Sequence, residues 1–408
     1  MRGGLRHSFL TRAAAVPMAA AALALSSCSS GAPVHASVST TVPPTSAPPP
    51  TTPGTSAPST TSTTPRPSAP AGGPVPAGFQ PASVTFVSDQ QGWVLGWAPC
   101  ARAVCTSLVR TVDGGRSWAG IPAPADALGS GQGDPGVSFV RFADSLDGWI
   151  FGSDLWSTHD GGGHWARQTL PGGYGVASLE VSGATAYALG VQGSGQPGGG
   201  PADLFQSPVG ADAWAPVPGA QLTGVHSGVL VASGTGVWAV AETAGGSAFL
   251  AKSGSGWVGR TLPCAQPTLS VTASSALDLD AVCSGGGAAG SASKQLYESS
   301  DGGQSWHPGG AAPLGGDLEG IGAPSRSVAV IGAASGASWL YATFDGGSTW
   351  ATVYQDTSGR PWRDIGFTSA TQGVAVEGAV IFGQSGLPPN QMLVTVDGGH
   401  TWAATRFV

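Results

Sequence analysis

The chain has 408 residues, 66 of them glycine and 33 proline, and a formal charge of −7 with only 16 basic side chains. That balance excludes the basic surface that nucleic-acid binding requires. The density of Gly and Pro, with little helical periodicity, favours short strands and many turns, and no apolar run is long enough to cross a bilayer as a stable helix.

The first 27 residues read as a secretion signal. Arg2, Arg6 and Arg12 make a basic start, and Ala13–Leu25 is an apolar stretch too short for an ordinary membrane span. Leu25-Ser26-Ser27-Cys28 follows and resembles a bacterial lipobox. The resemblance implies lipidation of Cys28 and a location on the outer face of the bacterial cytoplasmic membrane. Residues 28–78 are rich in Ser, Thr, Pro and Ala, with Arg66 as the only formal charge. Such a segment cannot bury a core, so it is expected to be a disordered or polyproline-like stalk. About fifty residues at ~3.1 Å each would reach ~150 Å.

Residues 79–408 are organised by a recurring string. It reads T-V-D-G-G-R-S-W at Thr111–Trp118, T-H-D-G-G-G-H-W at Thr158–Trp165 and S-S-D-G-G-Q-S-W at Ser299–Trp306. It returns as T-F-D-G-G-S-T-W at Thr343–Trp350 and T-V-D-G-G-H-T-W at Thr395–Trp402. A decayed copy, S-P-V-G-A-D-A-W, lies at Ser207–Trp214, and a fainter one ends at Trp257. A second pattern opens each unit, clearest in V-T-F-V-S-D-Q-Q-G-W at Val84–Trp93, V-R-F-A-D-S-L-D-G-W at Val140–Trp149 and I-G-F-T-S-A-T-Q-G-V at Ile365–Val374. Units of roughly 45 residues with four short strands each are the signature of propeller blades. The expected fold is therefore all-β, a seven-bladed β-propeller of four-stranded antiparallel blades. The chain begins on an inner strand and ends on an outer one, so no spare strand is left to clasp the first blade to the last.

The string has a physical logic. The Asp carboxylate accepts hydrogen bonds from the N–H groups of the turn that follows it. The two glycines supply positive φ, the hydroxyls bond locally, and the Trp starts the returning strand with a large apolar surface. It resembles the Asp-box, or BNR repeat, of sialidases, sortilin-type receptors, xyloglucan hydrolases and the photosystem II assembly-factor family. That resemblance implies a fold rather than an activity, with the boxes on the outer rim away from any central site. Asp113, Asp160, Asp301, Asp345 and Asp397, with Trp118, Trp165, Trp306, Trp350 and Trp402, are accordingly read as structural rather than catalytic. His159, His164 and His400 fall inside these turns and are expected to face solvent.

Without Cys28 four cysteines remain, an even number suited to an oxidising compartment. Proximity in blade order favours Cys100–Cys105 and Cys264–Cys283. No ligand spacing suggests a metal site, and no cofactor is expected.

Function is expected on the face opposite the boxes, where the longer connections lie: Gly120–Gly136, Gln192–Asp203, Ser284–Ser293, Thr352–Arg363 and Phe382–Asn390. Loops on a rigid scaffold are the usual place for binding. The best-equipped one offers Tyr354, Arg360, Trp362, Arg363 and Asp364 as candidate binding residues, with an exposed Trp beside two Arg to stack on a polar ligand. The competing reading makes Trp362 a packing residue between blades. Asp126, Asp134, Asp317 and Glu319 on neighbouring loops are further candidates. The favoured function is a surface-tethered, monomeric binding or scaffold module for a protein or cell-wall glycan partner. In the assembly-factor family that it resembles, members act as chaperones rather than enzymes. The alternative is an exo-acting glycoside hydrolase of sialidase type, which needs three converging arginines, a Tyr assisted by a Glu, and an acid Asp. The R-I-P segment that usually supplies the first Arg is absent, although Glu298 adjoins Tyr297.

Overall fold

A computed structural model of the protein describes residues 68–101, 103–129, 135–193, 199–243, 245–264, 269–288, 290–378 and 389–408. The signal segment, Cys28, the stalk up to 67, Asp134 and most of Phe382–Asn390 lie outside the described residues. Among the described residues there are 28 strands and no helix. They form successive quartets, each an antiparallel meander. The first is Gln80–Phe86, Gly92–Cys100, Ala103–Thr111 and Ala119–Ile121, paired in that order. Five quartets are separate four-stranded sheets, and the third and fourth share an eight-stranded one. The sharing arises at Gly200–Pro208, which pairs with Ala215–Pro216 in its own quartet and, at Gly200 and Ala202, with Val225 and Leu222 of the next.

The opening pattern owes its Phe and Gly to packing as much as to the turn between them. A Cβ on Gly92, Gly148 or Gly373 would lie 2.6, 2.5 and 2.6 Å from the rings of Phe86, Phe142 and Phe367 respectively. Each ring folds back over the start of the second strand, where only glycine leaves room. The Trp that closes the quartet then meets the same ring edge-on: Phe86–Trp118 at 6.3 Å, Phe142–Trp165 at 6.2 Å and Phe367–Trp402 at 6.2 Å between centroids. Such edge-to-face pairs add ~0.5–1.5 kcal/mol beyond burial.

The cores lie between quartets. Trp93 of the first stacks on Phe142 of the second at 3.8 Å, within a cluster that also holds Leu108, Ile121 and Ile150. Trp165 Nε1 donates to Pro122 O and Trp306 Nε1 to Thr261 O, both at 3.0 Å, tying each turn to the preceding quartet. The last quartet packs on the first in the same way, with Val374, Val376 and Met392 against Val84, Val94 and Val109. Asn390 N donates to Gln80 Oε1 at 2.6 Å, and Phe407 meets Phe79 at 4.9 Å. All four strands of each terminal quartet are contiguous in sequence, so closure rests on side chains rather than on a shared strand, as the strand order implied.

The D-G-G strings fold alike. In the first, Thr111 Oγ1 donates to Asp113 Oδ1 at 2.8 Å and accepts from Gly115 N at 2.9 Å. Asp113 then accepts from Ser117 N and Ser117 Oγ, and both glycines have positive φ, 76° and 86°. The Ser117 hydroxyl, then its N–H, hold the Asp113 carboxyl down at about 2. The first glycine of each turn also donates to a carbonyl of the turn between strands one and two: Gly114 to Gln90, Gly161 to Leu146, Gly302 to Leu277, Gly346 to Ser327 and Gly398 to Thr371. Both turns therefore lie at one face, and the connections between strands two and three, and between quartets, lie at the other.

Both expected disulfides are present. Cys100–Cys105 closes the hairpin of strands two and three, with Cα atoms 5.9 Å apart. Cys264–Cys283 joins the segment after the fourth quartet to the second strand of the fifth, with Cα atoms 5.5 Å apart.

Three expectations need correction. The stalk was expected to run to 78, yet residues 68–78 are seated on the propeller. Gly73 exchanges two hydrogen bonds with Gly120, at 2.8 and 2.9 Å, and Arg110 donates to Pro70 O at 2.6 Å. The fit depends on glycine on both sides: a Cβ on Gly72 would lie 2.7 Å from the Ala119 Cβ, and one on Gly120 2.6 Å from Pro74 O. His159 does not simply face solvent. It bridges Asp147 at 2.7 Å and Asp212 at 3.0 Å. Asp212 belongs to the decayed string and holds φ at 48°; it also accepts from Ser157 Oγ and Gln168 Nε2. His400 lies flat on Phe344, 3.7 Å between ring centroids, whereas His164 is 94% exposed.

Candidate functional site

The first strand of every quartet contributes to the wall of one cavity of about 330 Å³. These strands are Gln80–Phe86, Val137–Phe142, Gly175–Ser182, Leu222–Ser233, Leu269–Ala273, Asp317–Ser325 and Trp362–Phe367. Six of them carry one extra residue near their start, which the pairing register skips: Ala82, Ser138, Ala177, His226, Glu319 and Arg363. A β-bulge bends its strand and re-aims the extra side chain, and such bulges gather where function sits. Here they recur at the same level around the cavity, and Ala177, Glu319 and Arg363 are in its wall.

The wall is polar and apolar in about equal measure, its apolar part formed by Phe139, Phe151, Val229, Val271, Ile321 and Ile365. Its polar groups are mostly engaged. Arg141 pairs with Glu180 at 2.7 Å and donates from Nε to Leu179 O. Burial pushes the Glu180 carboxyl up and Arg141 opposes the shift. Arg363 donates from Nε to Ala82 O at 3.0 Å, and its guanidinium lies 5.8 Å from the Phe139 ring centre. Burial pulls its pKa below the ordinary value, against the pull of Asp364. Asp364 Oδ2 accepts from Val84 N at 2.9 Å. The same device links other neighbours: Ser83 Oγ accepts from Val140 N and Ser178 Oγ from Leu230 N. One inner strand thus satisfies the edge N–H groups of the next.

Glu319 differs. It has no hydrogen-bond or ion-pair partner among the described residues; its side chain stays open to solvent, and the partial desolvation that the surrounding wall imposes, then the charge of Asp317, push it up to about 7. On sequence, Glu319 stands only among several loop acids. The bulge that aims it into the wall is a feature of pairing register, which composition does not display.

Three of the five favoured binding residues, Trp362, Arg363 and Asp364, line the cavity, while Tyr354 and Arg360 lie outside its wall. Trp362 is 3% exposed; its Nε1 donates to Ala333 O and its ring meets Tyr354 edge-on. It is a packing residue, and the exposed aromatic expected beside two arginines is not there. Tyr354 bonds Asp356 and Gln391, and burial pushes its hydroxyl up to about 12. Arg360 pairs with Glu377, which is fully buried and also accepts from Ser358 and Gln391. These groups knit the sixth quartet to the seventh. Arg363 and Asp364 reach the cavity, but they bond the backbone of the first quartet.

A sialidase-type centre needs three arginines around one carboxylate. Among the described residues the wall holds two, Arg141 and Arg363, on separate partners. Tyr297 packs against Trp238 and Phe249 instead, and Glu298 faces Asp280 across a strand pair. Burial, then Glu298, push the Asp280 carboxyl up to about 8.

No protein-family model and no curated protein matches the sequence. Solved structures do. YCF48 bound to D1 peptide is 18% identical with a TM-score of 0.52, over 81% of this chain and 99% of that one. YCF48 from Cyanidioschyzon merolae is 15% identical with a TM-score of 0.48, over 79% of this chain and 97% of that one. The GH74 enzyme of Niastella koreensis is 12% identical with a TM-score of 0.33, over 80% and 71%. With the strand order above, the class is a β-propeller of several four-stranded blades. At these identities the likeness speaks to the fold alone.

Proposed function

We propose that the protein is a secreted lipoprotein whose seven-bladed Asp-box propeller is a binding module for a protein or cell-wall partner, held at the outer membrane face through Cys28. The observation that carries this reading is the central cavity, walled by the first strand of every quartet, with apolar and polar groups in about equal measure and its arginines engaged in structure. Of its three carboxyls, Glu180 is paired with Arg141 and Asp364 accepts from Val84 N, which leaves Glu319 alone uncommitted among the described residues; hydrolysis asks for two carboxylates placed about a bond. The D1-peptide complex of a protein with this fold is in keeping with peptide binding.

The contacts of residues 68–78 fix where the chain joins the propeller. A Cβ on Gly161 would lie 2.7 Å from the Ala69 Cβ, so the chain reaches the propeller beside the D-G-G turn of the second quartet. Fractionation of cells carrying Cys28→Ala, with lipid labelling, tests the anchor: release from membranes is expected, and unchanged labelling would refute it. Crosslinking on intact cells followed by mass spectrometry tests the partner. A recurrent protein or peptidoglycan-linked species is expected, and turnover of a glycoside without any bound partner would favour the hydrolase.

A further inference from the structure

Building on the binding-module reading, we propose that the cavity takes a lysine side chain of a partner protein, with Glu319 receiving the ammonium. The cavity offers a lysine what its two ends need. Val229, Val271, Ile321 and Ile365 can cover the methylene stem. Glu319 is the wall carboxyl without a partner among the described residues, and the bulge in its strand turns it there. The other charges of the wall cannot compete for the ligand. Arg141 is paired with Glu180, Arg363 is bonded to Ala82 O, and Asp364 is bonded to Val84 N. A carboxylate ligand would meet Glu319, with the charge of Asp317 nearby, and no uncommitted cation of the wall to offset them, so the site selects for positive charge. One carboxylate could grip a guanidinium with both oxygens as well as it holds an ammonium, so the preference for lysine rests on the apolar part of the wall, which covers its unbranched four-carbon stem.

The carboxyl must be ionised to hold the ammonium. The carboxyl is open to solvent and is raised to about 7 by partial desolvation, then by Asp317; Glu180, Arg141, Arg363 and Asp364 face it from the other strands of the wall. Affinity is therefore expected to fall by up to about tenfold for each pH unit below that value, and binding near neutrality should release a proton.

The probe is an acetylated, amidated pentapeptide with one central lysine, titrated calorimetrically into the full chain at pH 6, 7 and 8 in buffers of different ionisation enthalpy. Norleucine, arginine and acetyl-lysine versions, and a lysine-free peptide with a free N-terminus, are the comparators. Saturable binding of the lysine peptide is expected, at least tenfold tighter than any comparator, with proton release at pH 7. Glu319→Gln should abolish the preference and the proton release while melting like the parent. No binding of the lysine peptide, equal binding of the arginine peptide, equal binding of the free-amine peptide, or an undiminished preference in Glu319→Gln would each overturn the proposal. A partner still captured from intact cells by the Glu319→Gln chain would leave the binding module standing and remove only the lysine pocket.

Discussion

Lys294 offers a sharp test of how this glycine-rich fold is held together. Its side chain is fully buried, and its ammonium donates to four carbonyls: Ala292 O at 2.9 Å, Leu314 O at 3.0 Å, Gly315 O at 3.2 Å and Gly316 O at 2.7 Å. The last three lie in the connection from the fifth quartet to the sixth, which has little apolar surface with which to anchor itself. Lys294→Met keeps the stem and removes the donors. Leu314 O retains the N–H of Ala292, and Gly315 O retains the Tyr341 hydroxyl. Ala292 O and Gly316 O therefore bear most of the loss. Two buried acceptors at ~1–3 kcal/mol each give ~2–6 kcal/mol. Against this stands the relief of a desolvated charge, so a net loss of ~2–4 kcal/mol is expected. For a chain of this size that corresponds to ~3–6 °C in melting temperature. Differential scanning calorimetry with the disulfides intact measures it. Lys294→Arg should not rescue, because the cradle surrounds a compact ammonium. A Lys294→Met protein that melts at or above the parent would mean that the buried charge costs more than its bonds return.

Other outcomes follow from the same geometry. Gly148→Ala should destabilise by ~1–3 kcal/mol through overpacking, since the new Cβ would sit 2.5 Å from a Phe142 ring already stacked on Trp93; denaturation that matched the parent would contradict this. Trp362→Ala should cost ~3–5 kcal/mol as a core truncation, and if it left stability intact while abolishing binding, the loop would be a contact surface after all. For His159, burial works to lower the pKa, but the hydrogen bonds to Asp212, then Asp147, outweigh it and raise the pKa overall. A raised folded-state pKa contributes stability that is complete below about 6.5 and is lost as pH rises through the folded value. The side chain is 38% exposed, so solvent screening limits this to about 1 kcal/mol. The melting difference between parent and His159→Gln should shrink from pH 5.5 to 8.5, and a pH-independent difference would sink the idea.

The propeller was legible because its signals are local. A D-G-G turn needs nothing beyond its own eight residues, so Thr111, Asp113, Gly115 and Ser117 could be read as a unit before their bonds were seen. The V-x-F opening showed as a repeat, but its reason is the glycine six residues on that makes room for the ring. The misreadings involve partners distant in sequence. Trp362 lies inside because Gly332 leaves space for it, where a Cβ would come within 2.8 Å of the indole. Residues 68–78 have the composition of a disordered stalk, and they order against Gly120 because glycines meet there on both sides. His159 resembled the other turn histidines until Asp212, fifty-three residues away, was brought to its ring. The cavity itself depends on bulges in six strands, which follow from pairing register and leave no mark on the hydrophobic pattern.

The central claim is that recognition takes place at the cavity and not on the rim of turns. Val229 lies in the cavity wall and is 46% exposed, and Val112 lies in the first D-G-G turn and is 62% exposed. A photo-crosslinking residue at each position, in the full-length protein on intact cells, compares the two faces directly. The account predicts that position 229 captures a specific partner while position 112 does not, and that capture at 229 weakens as the pH is taken below 7. Capture of the same partner from position 112 with none from 229 would contradict it.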